Sequence, residues 1–219
     1  MERLGGKLTE ILCAVIMMFF ILSAAVTLTL VFKPLYRYDM EKLRLTEETG
    51  YSEKEILENY DALIQYNVSP FEKELRLPTL EMSEEGRIHF EEVKVIFQFF
   101  LKMFLITAVL AAIITVIKTK KGQYGYLKLA GILTLIVPSI CGVFVAANWE
   151  RAFVLFHELV FANDYWLFDP ATDPVILLLP DAFFLHCAVM ILLLAAAGAA
   201  VCFATGVCRE RSGRKITGK

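Results

Sequence analysis

Charge is scarce in this chain. Only 21% of its 219 residues are Asp, Glu, Lys or Arg, while 57% fall in the set AVILMFWYC. That balance is too apolar for an ordinary soluble domain of this size and points to an integral membrane protein. An excess of positive charge is missing as well: 22 Lys and Arg stand against 24 Asp and Glu, a net charge of −2. A phosphate-binding surface would leave a clear basic excess, so no nucleic-acid partner is expected. Cysteine is sparse, at Cys13, Cys141, Cys187, Cys202 and Cys208, with no Cys-x-x-Cys pair and none in a region that reads as exposed to an oxidising compartment. Disulfides and a structural zinc site are therefore not expected, and all five read as packing within or at the inner edge of a membrane. The Gly-x-Ser-x-Gly nucleophile signature is also absent, and Ser52, Ser69 and Ser83 read as caps and turns.

What is present is a set of long apolar runs. A hydrocarbon core of roughly 30 Å takes about 20 helical residues to cross. Four segments are long enough, at about 11–32, 95–117, 129–147 and 182–205. The expected fold is an all-α integral membrane protein with four transmembrane helices, a single membrane domain over 1–219. Positive residues in the flanks orient it, because Lys and Arg are retained on the cytoplasmic side. Arg3 and Lys7 precede the first span, Lys118, Lys120, Lys121 and Lys128 lie between the second and third, and Arg209, Arg211, Arg214 and Lys215 follow the fourth. Both termini are thus expected inside, with 33–94 and 148–181 outside, forming a helical cap at the outer leaflet. A cleavable signal peptide is the alternative for the N-terminus, but Lys33-Pro34-Leu35-Tyr36 offers no small-residue cleavage site.

Chemistry has to be sought in the two outer regions. In the first, Ser52-Glu53-Lys54-Glu55 has the form of a capping box, so a helix should start there. Ile56, Leu57, Tyr60, Leu63 and Ile64 then form an apolar stripe opposite Glu58, Asp61 and Gln65. His89 falls about one turn above the outer end of the second span. In the second region, 153–161 is too apolar for a solvated loop and too short to span, which suits an interfacial or re-entrant helix carrying His157 at headgroup level. Asn163, Asp164, Asp169-Pro170 and Asp173-Pro174 impose turns around Tyr165, Trp166 and Phe168, giving an ordered aromatic lid, and Pro180 opens the fourth span.

Each histidine has a plain reading beside the catalytic one. Most interfacial histidines only make hydrogen bonds, although an imidazole with a pKa of about 6.5 is well suited to general base chemistry. His157-Glu158 would open the zinc motif His-Glu-x-x-His, but the position that should be the second histidine is Phe161, so no metal is expected. His186 and Lys102 lie within spans and read as packing and as a snorkelling ammonium. With no acyl-enzyme nucleophile, any acyl movement would be a direct transfer between two parts of one bound substrate.

Tyr60 through Tyr66, His89-Phe90 with Val93-Lys94, and His157-Glu158 followed by Asn163-Asp164-Tyr165-Trp166-Leu167-Phe168-Asp169-Pro170 and Asp173-Pro174 together resemble the bacterial lipoprotein intramolecular transacylase family. The resemblance extends over nearly the whole chain. It implies an enzyme of Gram-positive cytoplasmic membranes whose partners are membrane lipids and diacylated lipoproteins with a free N-terminal cysteine amine. The sn-2 acyl chain of the glyceryl group moves onto that amine, giving the lyso-form, with no cofactor and no second lipid donor. His157 would then be general base and His89 the oxyanion or leaving-group partner, or the reverse. Tyr66, Asn163 and Trp166 would orient the substrate, and Lys94 would meet a carboxylate or lipid phosphate. Loop packing is the plain reading of these four residues. The competing class is a non-enzymatic membrane assembly or chaperone protein.

The orientation is checked by labelling reporter cysteines from outside intact cells. A cysteine placed near Thr172 should react with an impermeant reagent and one near Gly122 should not; the opposite pattern overturns the orientation.

Overall fold

The computed structural model describes residues 2–216, and the side chains at 2–5, 137 and 213–219 lie outside what is described. Arg3, Arg214 and Lys215 of the orientation argument are among these. Among the described residues every regular element is a helix and none is a strand. In order they form α1 (Glu2–Val31), α2 (Lys33–Lys42), α3 (Leu45–Thr49), α4 (Glu53–Val68), α5 (Glu84–Lys120), α6 (Gly125–Ala147), α7 (Trp149–Val160), a 3-10 turn (Pro174–Leu178) and α8 (Asp181–Ile216). Helix is the economical answer where no water can satisfy backbone N–H and C=O groups, because it satisfies them within one segment. Among the described residues four helices are long and apolar enough to span, within Gly6–Val31, Glu84–Lys120, Gly125–Ala147 and Asp181–Ser212. They overrun the apolar runs, since a helix does not stop where hydropathy falls. The overrun of α5 carries His89 on a rigid element rather than in a loop.

The chain forms two compact units. The first comprises residues up to Thr27, Phe100–Val143 and those from Met190 onward. Its helices pack through small residues: Ala14, Ala130, Ala195 and Ala199 have no exposed surface. At Gly131 an added Cβ would lie 2.7 Å from the Ala199 carbonyl oxygen, so glycine is needed for the close approach of α6 and α8. Lipid tails are as apolar as leucine, so close van der Waals packing between small residues takes the place of hydrophobic collapse. The apolar side chains left outside, such as Val109 and Val143, cost nothing in lipid.

The second unit comprises Leu28–Phe99 and Phe144–Val189. The capping box at Ser52 is formed as expected, the Ser52 Oγ accepting from the Glu55 amide at 3.3 Å and Glu55 Oε2 accepting from the Ser52 amide at 2.9 Å. Ile56, Tyr60, Leu63 and Ile64 of the expected stripe are buried. The same face also buries Asn59 and Asn67, whose amides bond the Glu55 and Leu63 carbonyls at 2.7 and 2.8 Å. Tyr60 stacks on Tyr36 of α2 with centroids 3.6 Å apart, and the Tyr36 hydroxyl donates to the Leu178 carbonyl at 2.9 Å. Sequence periodicity did not reveal α2, because its buried face includes Asp39 as well as Tyr36 and Met40. His186, expected as packing, has a specific partner: its Nδ1 lies 2.7 Å from the fully buried Asp39 carboxylate.

The start of α5 is set by a carboxylate from far along the chain. Asp173, only 3% exposed, accepts from the Ser83 amide at 2.8 Å, while the Ser83 Oγ accepts from the Gly86 amide at 2.9 Å. A Cβ at Gly86 would run into the Asp173 carboxylate. Gly86→Ala should therefore cost about 1–3 kcal/mol of stability, through overpacking and the loss of a buried charge-assisted bond. The check is a lower midpoint of thermal unfolding in detergent; an unchanged midpoint contradicts the role given to this contact.

Candidate active site

α7 is capped by Asn148, whose Oδ1 accepts from the Arg151 amide at 2.9 Å, so the helix begins at Trp149, earlier than the apolar run suggested. It ends at the C-cap Phe161. His157 therefore lies in the last turn, 8% exposed, while Phe156 and Leu159 on other sides of the helix are 50% and 77% exposed. A helix with one buried imidazole and bare apolar side chains elsewhere suits a lipid surface better than water.

The Nδ1 of His157 lies 2.8 Å from the Phe153 carbonyl oxygen. A carbonyl can only accept, so Nδ1 carries the proton and Nε2 keeps a lone pair; the tautomer follows from the bond. Burial disfavours the charged ring and lowers its pKa below the ordinary histidine value, while the Phe153 bond and the charge of Asp181 work the other way. The result is a neutral imidazole with its basic nitrogen free.

His89, on the second turn of α5, is 5% exposed. The two imidazole centroids are 6.0 Å apart with the ring planes inclined by 33°. No hydrogen bond joins the rings among the described residues. Aromatic rings hold both. Trp166 stacks on His157 at 4.7 Å, and Phe153 lies 4.2 Å from the same ring. Phe168 meets His89 edge-on at 5.4 Å and stacks on Phe90 at the same distance. Phe161, which occupies the place of the second histidine in a zinc motif, packs edge-on to His89 at 4.7 Å and lies 5.6 Å from His157. Three polar atoms in this region are buried with no partner among the described residues: His89 Nδ1, Trp166 Nε1 and Glu92 Oε2.

Of the six residues singled out in the sequence, His89, His157 and Trp166 are brought together. Asn163 joins the group through α5: its amide donates to Glu92 Oε1 at 2.9 Å, and its Oδ1 accepts from the Tyr165 amide at 3.1 Å. Tyr66 and Lys94 pair with each other. The Lys94 ammonium lies 3.9 Å over the Tyr66 ring and donates to the Glu72 carbonyl. Tyr66 itself is buried, and the imidazole ring contacts go to other aromatics. Sequence reasoning placed Phe168 only in an aromatic lid and missed Phe153, Phe161 and Glu92 as neighbours of the site. Two of these were recoverable from spacing, since Phe153 precedes His157 by four residues and Glu92 follows His89 by three, separations that share a helix face.

The family model described as lipoprotein intramolecular transacylase Lit matches residues 11–184 of the chain. The solved structure of the membrane integral lipoprotein intramolecular transacylase Lit from Bacillus cereus is similar, with TM-score 0.91 at 37% identity, covering 95% of this chain and 97% of that one. Two structures of the same Bacillus cereus protein with a histidine substituted, once by arginine and once by alanine, match with TM-score 0.86 at 36% identity. They cover 98% of this chain and 96% and 97% of theirs. None of the curated proteins compared with the chain matches it.

The geometry of α7 makes a spectroscopic prediction. Near neutral pH the His157 ring should be uncharged with its proton on Nδ1, and lowering the pH should protonate it only below about 6.5, the ordinary histidine value. Nitrogen NMR shifts of histidine-labelled protein in micelles read this directly. A charged ring at neutral pH, or the proton on Nε2, would contradict the described hydrogen bond.

Proposed function

Because the chain belongs to the lipoprotein intramolecular transacylase family, we propose that His157 and His89 carry the acyl transfer, His157 as general base and His89 opposite it. The observation behind this assignment is the Nδ1 bond of His157 to the Phe153 carbonyl, which leaves the Nε2 lone pair free to accept a proton. The substrate is a diacylglyceryl lipoprotein whose N-terminal cysteine has a free amine. That amine and the sn-2 ester belong to one molecule, so the enzyme's main task is to orient them and move protons.

His157 Nε2 takes a proton from the amine as its nitrogen bonds to the ester carbonyl carbon. The carbonyl oxygen becomes negative. The Trp166 indole, a donor with no acceptor among the described residues, and a proton on His89 Nδ1 are available to stabilise it. When the carbon–oxygen bond to the glyceryl group breaks, the departing oxygen receives a proton from the histidine pair. The amide has formed, an ester has gone, and neither water nor a second lipid has entered. The surrounding Phe153, Phe161 and Phe168 keep out the water that would hydrolyse the ester instead. Asn163 positions the lid through Glu92 and the Tyr165 amide. The Lys94 ammonium, steadied by Tyr66 and Glu72, has donors left for a lipid phosphate or substrate carboxylate.

The site belongs at the outer leaflet with both termini cytoplasmic, a reading supported by the Lys and Arg flanks. Substrate arrives from the membrane side, since exposing its chains to water costs about 0.8 kcal/mol per CH₂. The non-enzymatic assembly or chaperone reading falls with family membership.

His157→Ala should leave the protein folded and inserted but lower lyso-form production by roughly 10² to 10⁴, the range of a positioned acid-base group. His89→Ala should fall in the same direction. The measurement is mass spectrometry of the lipoprotein N-terminus in variants matched for membrane abundance. Near-normal conversion by either variant removes that residue from the mechanism.

A further inference from the structure

Glu92 lies one turn beyond His89 on α5, and residues three apart share a helix face. One of its oxygens is committed: Oε1 accepts from the Asn163 amide at 2.9 Å. The other, Oε2, is buried and has no partner among the described residues. A carboxylate oxygen withdrawn from water without a donor is costly, which makes it a strong acceptor for any cation that can reach it. The cations that flank it on the same helix are held by other partners. Arg87 pairs with Glu84 and Glu91, and Lys94 binds the Glu72 carbonyl and the Tyr66 ring.

On the transacylase reading, on which this step rests, the substrate brings its own cation, the α-ammonium of its N-terminal residue. We propose that Glu92 Oε2 receives this ammonium and so selects a lipoprotein with a free N-terminal amine over one whose nitrogen is an amide. The amine has a solution pKa of about 7.7–8.0 and arrives largely charged. Of the three protons on that nitrogen, one stays on the product amide, one goes to the glyceryl oxygen, and one leaves to solvent by way of His157. The product amide is neutral, so the charge-assisted bond to Glu92 is lost as the reaction completes, and the product is held more weakly than the substrate. Both selection of substrate and release of product follow from one carboxylate oxygen.

The test uses the full protein in nanodiscs and non-transferable probes: short peptides whose N-terminal cysteine carries a dialkyl-ether glyceryl thioether, with a free amine, an N-acetyl group, or no amine. Wild-type protein should bind the free-amine probe about tenfold or more tightly than the other two, the scale of one charge-assisted bond. Equal binding of all three by wild type overturns the proposal without any variant. Glu92→Gln keeps an oxygen for Asn163 and removes the charge, so it should bring the three affinities together while leaving N-acetyl binding as in wild type. Retention of the wild-type preference by Glu92→Gln overturns the proposal. A transferable diacyl substrate is run in parallel. If wild type makes no lyso-form, the transacylase reading fails; if it does and the probe preference is absent or insensitive to Glu92, only the assignment of Glu92 fails.

Discussion

Burial of an imidazole favours the neutral ring with its N–H on an acceptor, and much of the site follows from how His157 meets that demand. Its acceptor is the Phe153 carbonyl one turn earlier in α7. The bond depends on the helix continuing through its last turn. There the Phe161 amide reaches back to the His157 carbonyl at 2.9 Å and closes the helix. The tautomer is set by backbone geometry rather than by a second ionisable group, with no carboxylate hydrogen-bonded to the ring among the described residues. The rings of Phe153 and Trp166 then limit where Nε2 can point.

Opposite this helix, two carboxylates tie the segment after α7 to α5. Asp173 bonds the Ser83 amide ahead of the first turn of α5, and Glu92 holds Asn163 one turn beyond His89. The segment between Asn163 and Asp173 is further pinned by its own turns, Asp169 Oδ1 accepting from the Ala171 amide at 2.9 Å and the Asp169 carbonyl from the Asp173 amide at 2.8 Å. Trp166 and Phe168 are carried on this braced segment, which is why they can pack on His157 and His89 respectively. Rings packed on both sides hold two buried titratable groups with their centroids 6.0 Å apart, where low local polarity strengthens any hydrogen bond that forms.

Farther from the imidazoles, the same unit is stiffened by Tyr36, stacked on Tyr60, meeting Phe183 edge-on at 5.2 Å and bonded to Leu178. Asp39, on the same face of α2, takes the His186 imidazole. These contacts join α2, α4, the 3-10 turn and the start of α8 by polar groups placed inside apolar packing. Such groups fix one arrangement because any slip would leave them unpaired.

The amino-acid sequence by itself determined the spans, the capping box, the stripe of α4, the turn residues of the lid and the candidacy of His89 and His157. These are local properties: apolar run length, spacing at three and four, and side chains that bond their own backbone. The tertiary structure decided the rest. Asp39 broke the apolar pattern of α2, and its partner His186 is 147 residues away. Phe161 looked in sequence only like the residue that spoils a zinc motif, yet its ring contacts both imidazoles. Glu92 read as one more charge ahead of a membrane span until Asn163, 71 residues on, occupied one of its oxygens and burial isolated the other. Periodicity carries no information about which groups far apart in the chain will be buried against one another, because that depends on how the helices pack and not on the spacing within any one of them.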